Sequence, residues 1–290
     1  MTWPTGVIID TLFIPLYTLL LLLNFLNVLK HGHRRNLGFI SLLLVSLLHL
    51  TGNLLLVIEY NHHYSNINVT VWGYILQSIG MSFLVSASLA FFSRARTAIR
   101  AGGDGVVRWV RLGNLVNLVA LVCVVTGYST TSFTNARGEV LDRVSLPVQT
   151  KIGAVLYVVL SVAIFSATVL FLRAGGEGDR CTRIIKGALV VATPLMLFRS
   201  SWSVYTVEEG SLLHPKNIWV KLVLQYVAEF AALVVLTAVG FGVGNVREEG
   251  WDVEDGDGYG QKPLVQQTYG YQQQQQTVPM TYPPPPPPQQ

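Results

Sequence analysis

Seven long apolar runs, very little charge, and short basic clusters on alternate loops predict an all-α integral membrane protein. The expected architecture is a seven-helix transmembrane bundle with its N-terminus outside, its C-terminus cytosolic, and a disordered C-terminal tail. Of 290 residues, 51% are hydrophobic and only 12% are charged, against roughly 25% charged in an ordinary soluble domain. Mean hydropathy is +0.45 even though the tail is strongly polar. A soluble fold this poor in charge would have too little polar surface to stay dissolved. The formal net charge is +4, but the basic residues fall in clusters between apolar runs. That placement reads as membrane orientation, so membrane lipids rather than nucleic acid are the expected surroundings.

A hydrocarbon core about 30 Å thick needs about 20 apolar residues in a helix. Residues 1–243 supply such runs near 6–29, 36–59, 69–93, 108–129, 150–172, 184–207 and 218–242. The first run lacks a basic leader, is too long for a signal-peptide core and has no clear small-residue cleavage site, so it reads as a retained helix interrupted by Pro15. The second carries Ser46, His49 and Asn53, spaced three and four apart and so on one face. The third begins at the glycosylation sequon Asn68-Val69-Thr70 and carries Gln77 together with Ser78, Ser82 and Ser86, each one turn apart. The fourth follows a flexible Gly102-Gly103-Asp104-Gly105 turn and holds Asn114 and Asn117. The fifth is apolar. The sixth holds Pro194 and Arg199, and the seventh holds Gln225 and Glu229.

The loops set direction. Lys30, Arg34, Arg35, Arg94, Arg96, Arg100, Arg108, Arg111, Arg173, Arg180, Arg183 and Lys186 share one side; Arg137, Arg143, Lys151, Lys216 and Lys221 share the other. The positive-inside rule puts the richer side in the cytosol, with the plasma membrane as the expected location. Residues 244–290 are different material. An acidic patch (Glu248, Glu249, Asp252, Glu254, Asp255, Asp257) precedes Gln272 to Gln276 and the prolines Pro283 to Pro288. Such composition cannot bury a core. Tyr282 to Pro288 is an aromatic-plus-polyproline segment of the kind that a polyproline-binding cytosolic domain accepts; a low-complexity repeat with no partner is the alternative.

Charges inside a span are costly and point to a bundle-interior or functional role. Arg199 is expected roughly 12 Å and Glu229 roughly 16 Å below the outer boundary at 1.5 Å per residue. Arginine is long enough to close that difference, so an Arg199–Glu229 pair is predicted, with Gln225 one turn above the acid. His49, Asn53 and Gln77 fall at similar depth, which makes His49, Asn53, Gln77, Arg199, Gln225 and Glu229 the candidate ligand-binding set in the outer half. Asn24, Asn27, Asn114 and Asn117 form an expected inner layer. Each has a plainer reading. The serine stripe packs helices closely, the asparagines bond between helices, and the Arg199–Glu229 pair is structural or functional with equal standing.

Several functions lack their signals. Phe91-Phe92-Ser93-Arg94-Ala95-Arg96 closes the third span without Asp-Arg-Tyr, and the seventh has no Asn-Pro-x-x-Tyr. Lys221 lies too near the outer end of its span for a retinal lysine. No phosphate loop, nucleophile elbow or zinc set is present, and Cys123 and Cys181 are too far apart to bridge, so no cofactor, no metal and no enzymatic activity are expected.

Leu76-Gln77-Ser78-Ile79-Gly80-Met81-Ser82, continuing through Ala87-Ser88-Leu89 to Ser93-Arg94, together with the Arg199 region, Glu229-Phe230 and Ala238-Val239-Gly240, resembles a fungal multi-pass membrane family known as domain of unknown function 7702. The resemblance covers about residues 6–243 and implies a seven-helix protein with no assigned activity. This chain departs from the family pattern in carrying His49 where arginine is usual and Ala228 where a second acid is usual. The reading of function is a receptor-like or sensor-like protein binding a small molecule or lipid in the outer half. A transporter or lipid-handling protein is the alternative, as is a scaffold presenting the polyproline tail.

Overall fold

The computed structural model describes residues 5–31, 37–61, 67–98, 104–131, 133, 144–173, 180–210 and 217–243. The acidic, glutamine-rich and polyproline stretches of the tail, including Tyr282 to Pro288, lie outside the described residues. The helices are α1 (Thr5–His31), α2 (Leu37–Asn61), α3 (Ile67–Ala98), α4 (Asp104–Ser129), α5 (Val148–Arg173) and α6 (Arg180–Glu209), then α7 (Ile218–Gly242). All seven are long and apolar enough to cross a membrane, and among the described residues there is no strand. The protein is a multi-pass membrane protein. Each helix overlaps one of the seven apolar runs, with ends displaced by a few residues.

Helices are the answer to a solvent that offers no hydrogen bonds, because every backbone group must then be satisfied within its own segment. Hydroxyl side chains obey the same rule. Thr18 Oγ1 donates to Ile14 O at 2.9 Å, Thr51 Oγ1 to Leu47 O at 2.9 Å and Thr126 Oγ1 to Val122 O at 2.7 Å, all on exposed faces. Outward-facing Leu12, Leu19, Leu22, Leu26 and Leu29 give α1 a lipid-facing side. Both α1 and α6 continue through their prolines, Pro15 and Pro194.

Neighbours in sequence pack as neighbours in space, and α1 meets α7 to close the bundle. The centre is α3, which touches α2, α4, α5 and α6. Its apolar window is 67% buried, against 28–44% for the other spans, so α3 is the pillar on which the interior is built. The end of α6 is set by Gly210, which adopts φ 64° and returns its N–H to Thr206 O at 3.1 Å. Its carbonyl accepts from Val144 N at 3.0 Å, tying the approach to α5 onto the end of α6.

The seventh helix is not uniform. Ile218–Lys221 is α-helical, Leu222–Val227 is a π-helical stretch, and Ala228–Gly242 is α-helical again. A π turn inserts about one extra residue into the helical repeat. Gln225 and Tyr226 within it are both buried, ahead of Ala228 and Glu229.

Candidate functional site

Glu229 is fully buried on α7. A carboxylate there must be neutralised and its oxygens filled. Arg199 of α6 donates from Nε to Oε2 at 2.7 Å, and His49 of α2 meets Oε1 through Nε2 at 2.7 Å. This bond sets the histidine tautomer, since an anionic oxygen can only accept and Nε2 must carry the proton. The ring stacks on Tyr17 of α1 with centroids 4.9 Å apart and 16° between planes. Room for the imidazole comes from Gly80 of α3: a Cβ there would lie 2.8 Å from His49 Cδ2. Arg199 also donates from Nη1 to Ser203 Oγ one turn along its own helix.

A second chain of bonds runs beside the first. Gln77 of α3 donates from Nε2 to Asn53 Oδ1 of α2 at 2.6 Å. Its Oε1 accepts from Gln225 Nε2 of α7 at 3.2 Å, and Gln225 Oε1 accepts from Trp202 Nε1 of α6 at 3.2 Å. The six residues singled out by depth and face are therefore brought together, in two parallel chains across α2, α3, α6 and α7.

They do not all face the same space. A cavity of about 50 Å³ lies among α3, α4, α5, α6 and α7, on the side of the bundle where α1, α3, α5 and α7 begin. Gln77, Arg199 and Gln225 line it; His49, Asn53 and Glu229 stand behind them on the α1 and α2 side. Tyr74, Ser78, Tyr128, Thr150, Tyr157, Trp202 and Lys221 complete much of the polar wall. Among the described residues no three His, Cys, Asp or Glu side chains gather in a way that could hold a metal.

Lys221 is the residue that sequence reasoning misplaced. The loop pattern places it among the outer loop charges, yet it is 7% exposed, with its ammonium 4.9 Å from the Tyr74 ring centroid and 5.7 Å from that of Tyr226. Asp10 of α1 is also buried and accepts a 2.5 Å hydrogen bond from the Tyr226 hydroxyl. The bundle thus encloses charge beyond the single expected pair. One signal was present: Lys221, Gln225 and Glu229 recur every four residues, a polar ladder continuing to the end of the span.

Elsewhere the layer nearer the other membrane face forms in part. Asn24 Nδ2 donates to Ser46 Oγ at 3.1 Å, and Thr237 Oγ1 donates to Asn24 Oδ1 at 3.0 Å. Asn27 Nδ2 donates to Thr237 O at 3.0 Å. Asn117 Nδ2 donates to Ser82 O and Ser86 Oγ at 3.0 and 2.9 Å, so the α3 serine stripe is a packing seam against α4. Asn114 is not part of the layer; it is exposed, because three residues of helix rotate it away from α3. The sequon Asn68 sits exposed in the first turn of α3, with Thr70 buried beside it. Neither Cys123 nor Cys181 is in a disulfide among the described residues.

No curated protein and no solved structure matches this chain. A protein-family model described as a domain of unknown function, DUF7702, matches residues 5–246, the whole of the helical bundle. The chain belongs to that family, the DUF7702 proteins.

Proposed function

We propose that the protein is a receptor-like or sensor-like component of the plasma membrane that binds a small molecule or the head of a lipid, rather than an enzyme. The observation that carries this reading is the polar cavity beside the Arg199–Glu229 pair, in the interior of an otherwise apolar bundle. Polar groups are expensive within a membrane, and a space lined by them is a recurrent mark of a ligand path or binding site. The N-out orientation read from the basic loops would open this half to the exterior. On the opposite face, the basic loops and a cytosolic tail bearing Tyr282 to Pro288 would carry the response, the polyproline segment meeting a partner domain of the corresponding kind.

Native mass spectrometry of the gently purified full chain tests the reading. A retained small molecule or lipid that is lost on Gln77→Ala, while the variant stays folded, is the expected result. An empty bundle, with a cellular phenotype abolished by deleting residues 247–290 and unaffected by Gln77→Ala, would replace it with a scaffold.

A further inference from the structure

The buried charges are distributed unevenly around the cavity. Arg199 and Lys221 both line it, while Asp10 and Glu229, the acids nearest to them in the fold, do not. Glu229 is shared between Arg199 and His49, and Asp10 is held by Tyr226. Among the described residues no carboxylate lies within ion-pair distance of Lys221, whose contacts are the rings of Tyr74 and Tyr226. Arg199 spends Nε on Glu229 and Nη1 on Ser203, and no described residue engages its remaining N–H groups. Two cations therefore face one space, while the acids that balance them, Glu229 for Arg199 and the more distant Asp10 for Lys221, lie outside it.

The hydroxyls at the same wall point the same way. Thr150 is fully buried and Tyr157 is 3% exposed, and both line the cavity; Thr150 Oγ1 has no hydrogen-bond partner, while the Tyr157 hydroxyl lies beside Ser82 without forming a regular hydrogen bond to it. Buried hydroxyls are normally satisfied, and an orphan hydroxyl with a weakly held second one on the wall that also carries two cations is a donor set lacking its acceptor. A guanidinium suits the planar oxygens of a carboxylate or phosphate, and an ammonium adds a point charge.

We infer that the cavity binds one anionic oxygen-bearing group, a carboxylate or phosphate, held between Arg199 and Lys221 with the Thr150 and Tyr157 hydroxyls donating to it. This rests on the ligand-binding reading above and names the class of ligand. A volume of about 50 Å³ corresponds to only a few water molecules at roughly 10–15 Å³ each on this measure. It accommodates the charged head and not a large body. The head can belong to a free small anion or to an acidic amphiphile whose chain lies in the bilayer.

The full-length protein in phosphatidylcholine nanodiscs, at constant ionic strength, tests this by the concentration dependence of its thermal unfolding. Acetate and inorganic phosphate are the soluble probes, oleate is the amphiphilic probe, and acetamide and oleyl alcohol are their uncharged counterparts. The expected result is saturable stabilisation by an anion and none by its neutral counterpart; which arm responds identifies the source. Lys221→Gln should weaken that binding by about tenfold or more, the worth of one charge-assisted contact. Tyr157→Phe removes a hydroxyl that lies between Ser82 and the cavity, so it should change unliganded stability little and weaken the anion several-fold. If a neutral probe binds as well as its anion and Tyr157→Phe weakens both, the cavity remains a ligand site and the anion assignment is overturned. Absence of saturable stabilisation by every probe overturns both.

Discussion

Replacing Glu229 by alanine strands two donors at once. The carboxylate is 0% exposed and receives Arg199 Nε and His49 Nε2, each at 2.7 Å. Its removal leaves a guanidinium buried at 3% exposure without a counter-charge. Breaking a buried ion pair from one side costs about 3–5 kcal/mol. Arg199→Met should cost a similar amount, because Glu229 would keep only the histidine. Removing both charges with Arg199→Met and Glu229→Met is a different perturbation. It leaves only the His49 N–H unsatisfied, for about 1–3 kcal/mol. The single losses then sum to at least ~6 kcal/mol and the double loss is at most ~3, so the coupling is at least ~3 kcal/mol. Glu229→Gln should be milder than Glu229→Ala: its amide oxygen can accept from Arg199 while its NH₂ donates to the alternative tautomer of His49. The assay is equilibrium unfolding of the full chain in mixed micelles, with monodispersity after extraction as a second readout. Single variants that each lose less than ~1 kcal/mol, or a double variant that loses the sum of the two, would refute the view that this pair is a coupled buried charge unit.

Other substitutions probe the positions that hold the network in place. Gly80→Ala puts a methyl 2.8 Å from His49 Cδ2 and should destabilise by about 1–3 kcal/mol, as overpacking does; thermal unfolding unchanged from wild type would contradict the crowding. Gly240→Ala brings a Cβ to 2.5 Å from Asn27 Oδ1, and a loss of about 1–3 kcal/mol is expected there too, relieved if Asn27→Ala is added. Asn117→Leu removes three bonds to the α3 seam and should cost about 0.6–2 kcal/mol in a membrane interior, whereas exposed Asn114→Leu should stay within about 0.5 kcal/mol; equal losses at the two positions would refute the assigned helix rotation.

Much of the fold was legible because the membrane makes the code simple. Length and apolarity place seven spans, and an acid and a base at matching depth in adjacent spans have few partners besides each other. Arg199 met Glu229 on those grounds. The faces of α2 and α3 were read correctly from three- and four-residue spacing, and Asn53 and Gln77 bond across that interface. Other features could not be read this way. Spacing sorted Asn114 and Asn117 only by depth, and three residues on a helix are nearly a full turn but not quite one. That remainder takes Asn114 out of the bundle. Tyr17, whose ring covers His49, carries no signal in an apolar run.

The sequence by itself determined the number of helices, their extents and the set of polar residues gathered in one half of the bundle, since each follows from the cost of leaving a polar group or a backbone amide in hydrocarbon. Which of those residues face open space, and which stand behind, only the tertiary structure decided. A π-helical stretch, Leu222–Val227, changes the helical repeat between Lys221 and Glu229, and it carries the buried Gln225 and Tyr226. Lys221 and Arg199 then reach the cavity wall while Glu229 and Asp10 stay outside it. Helix rotation and a local change of repeat are set by the packing of side chains from five helices at once, and no single segment carries that information.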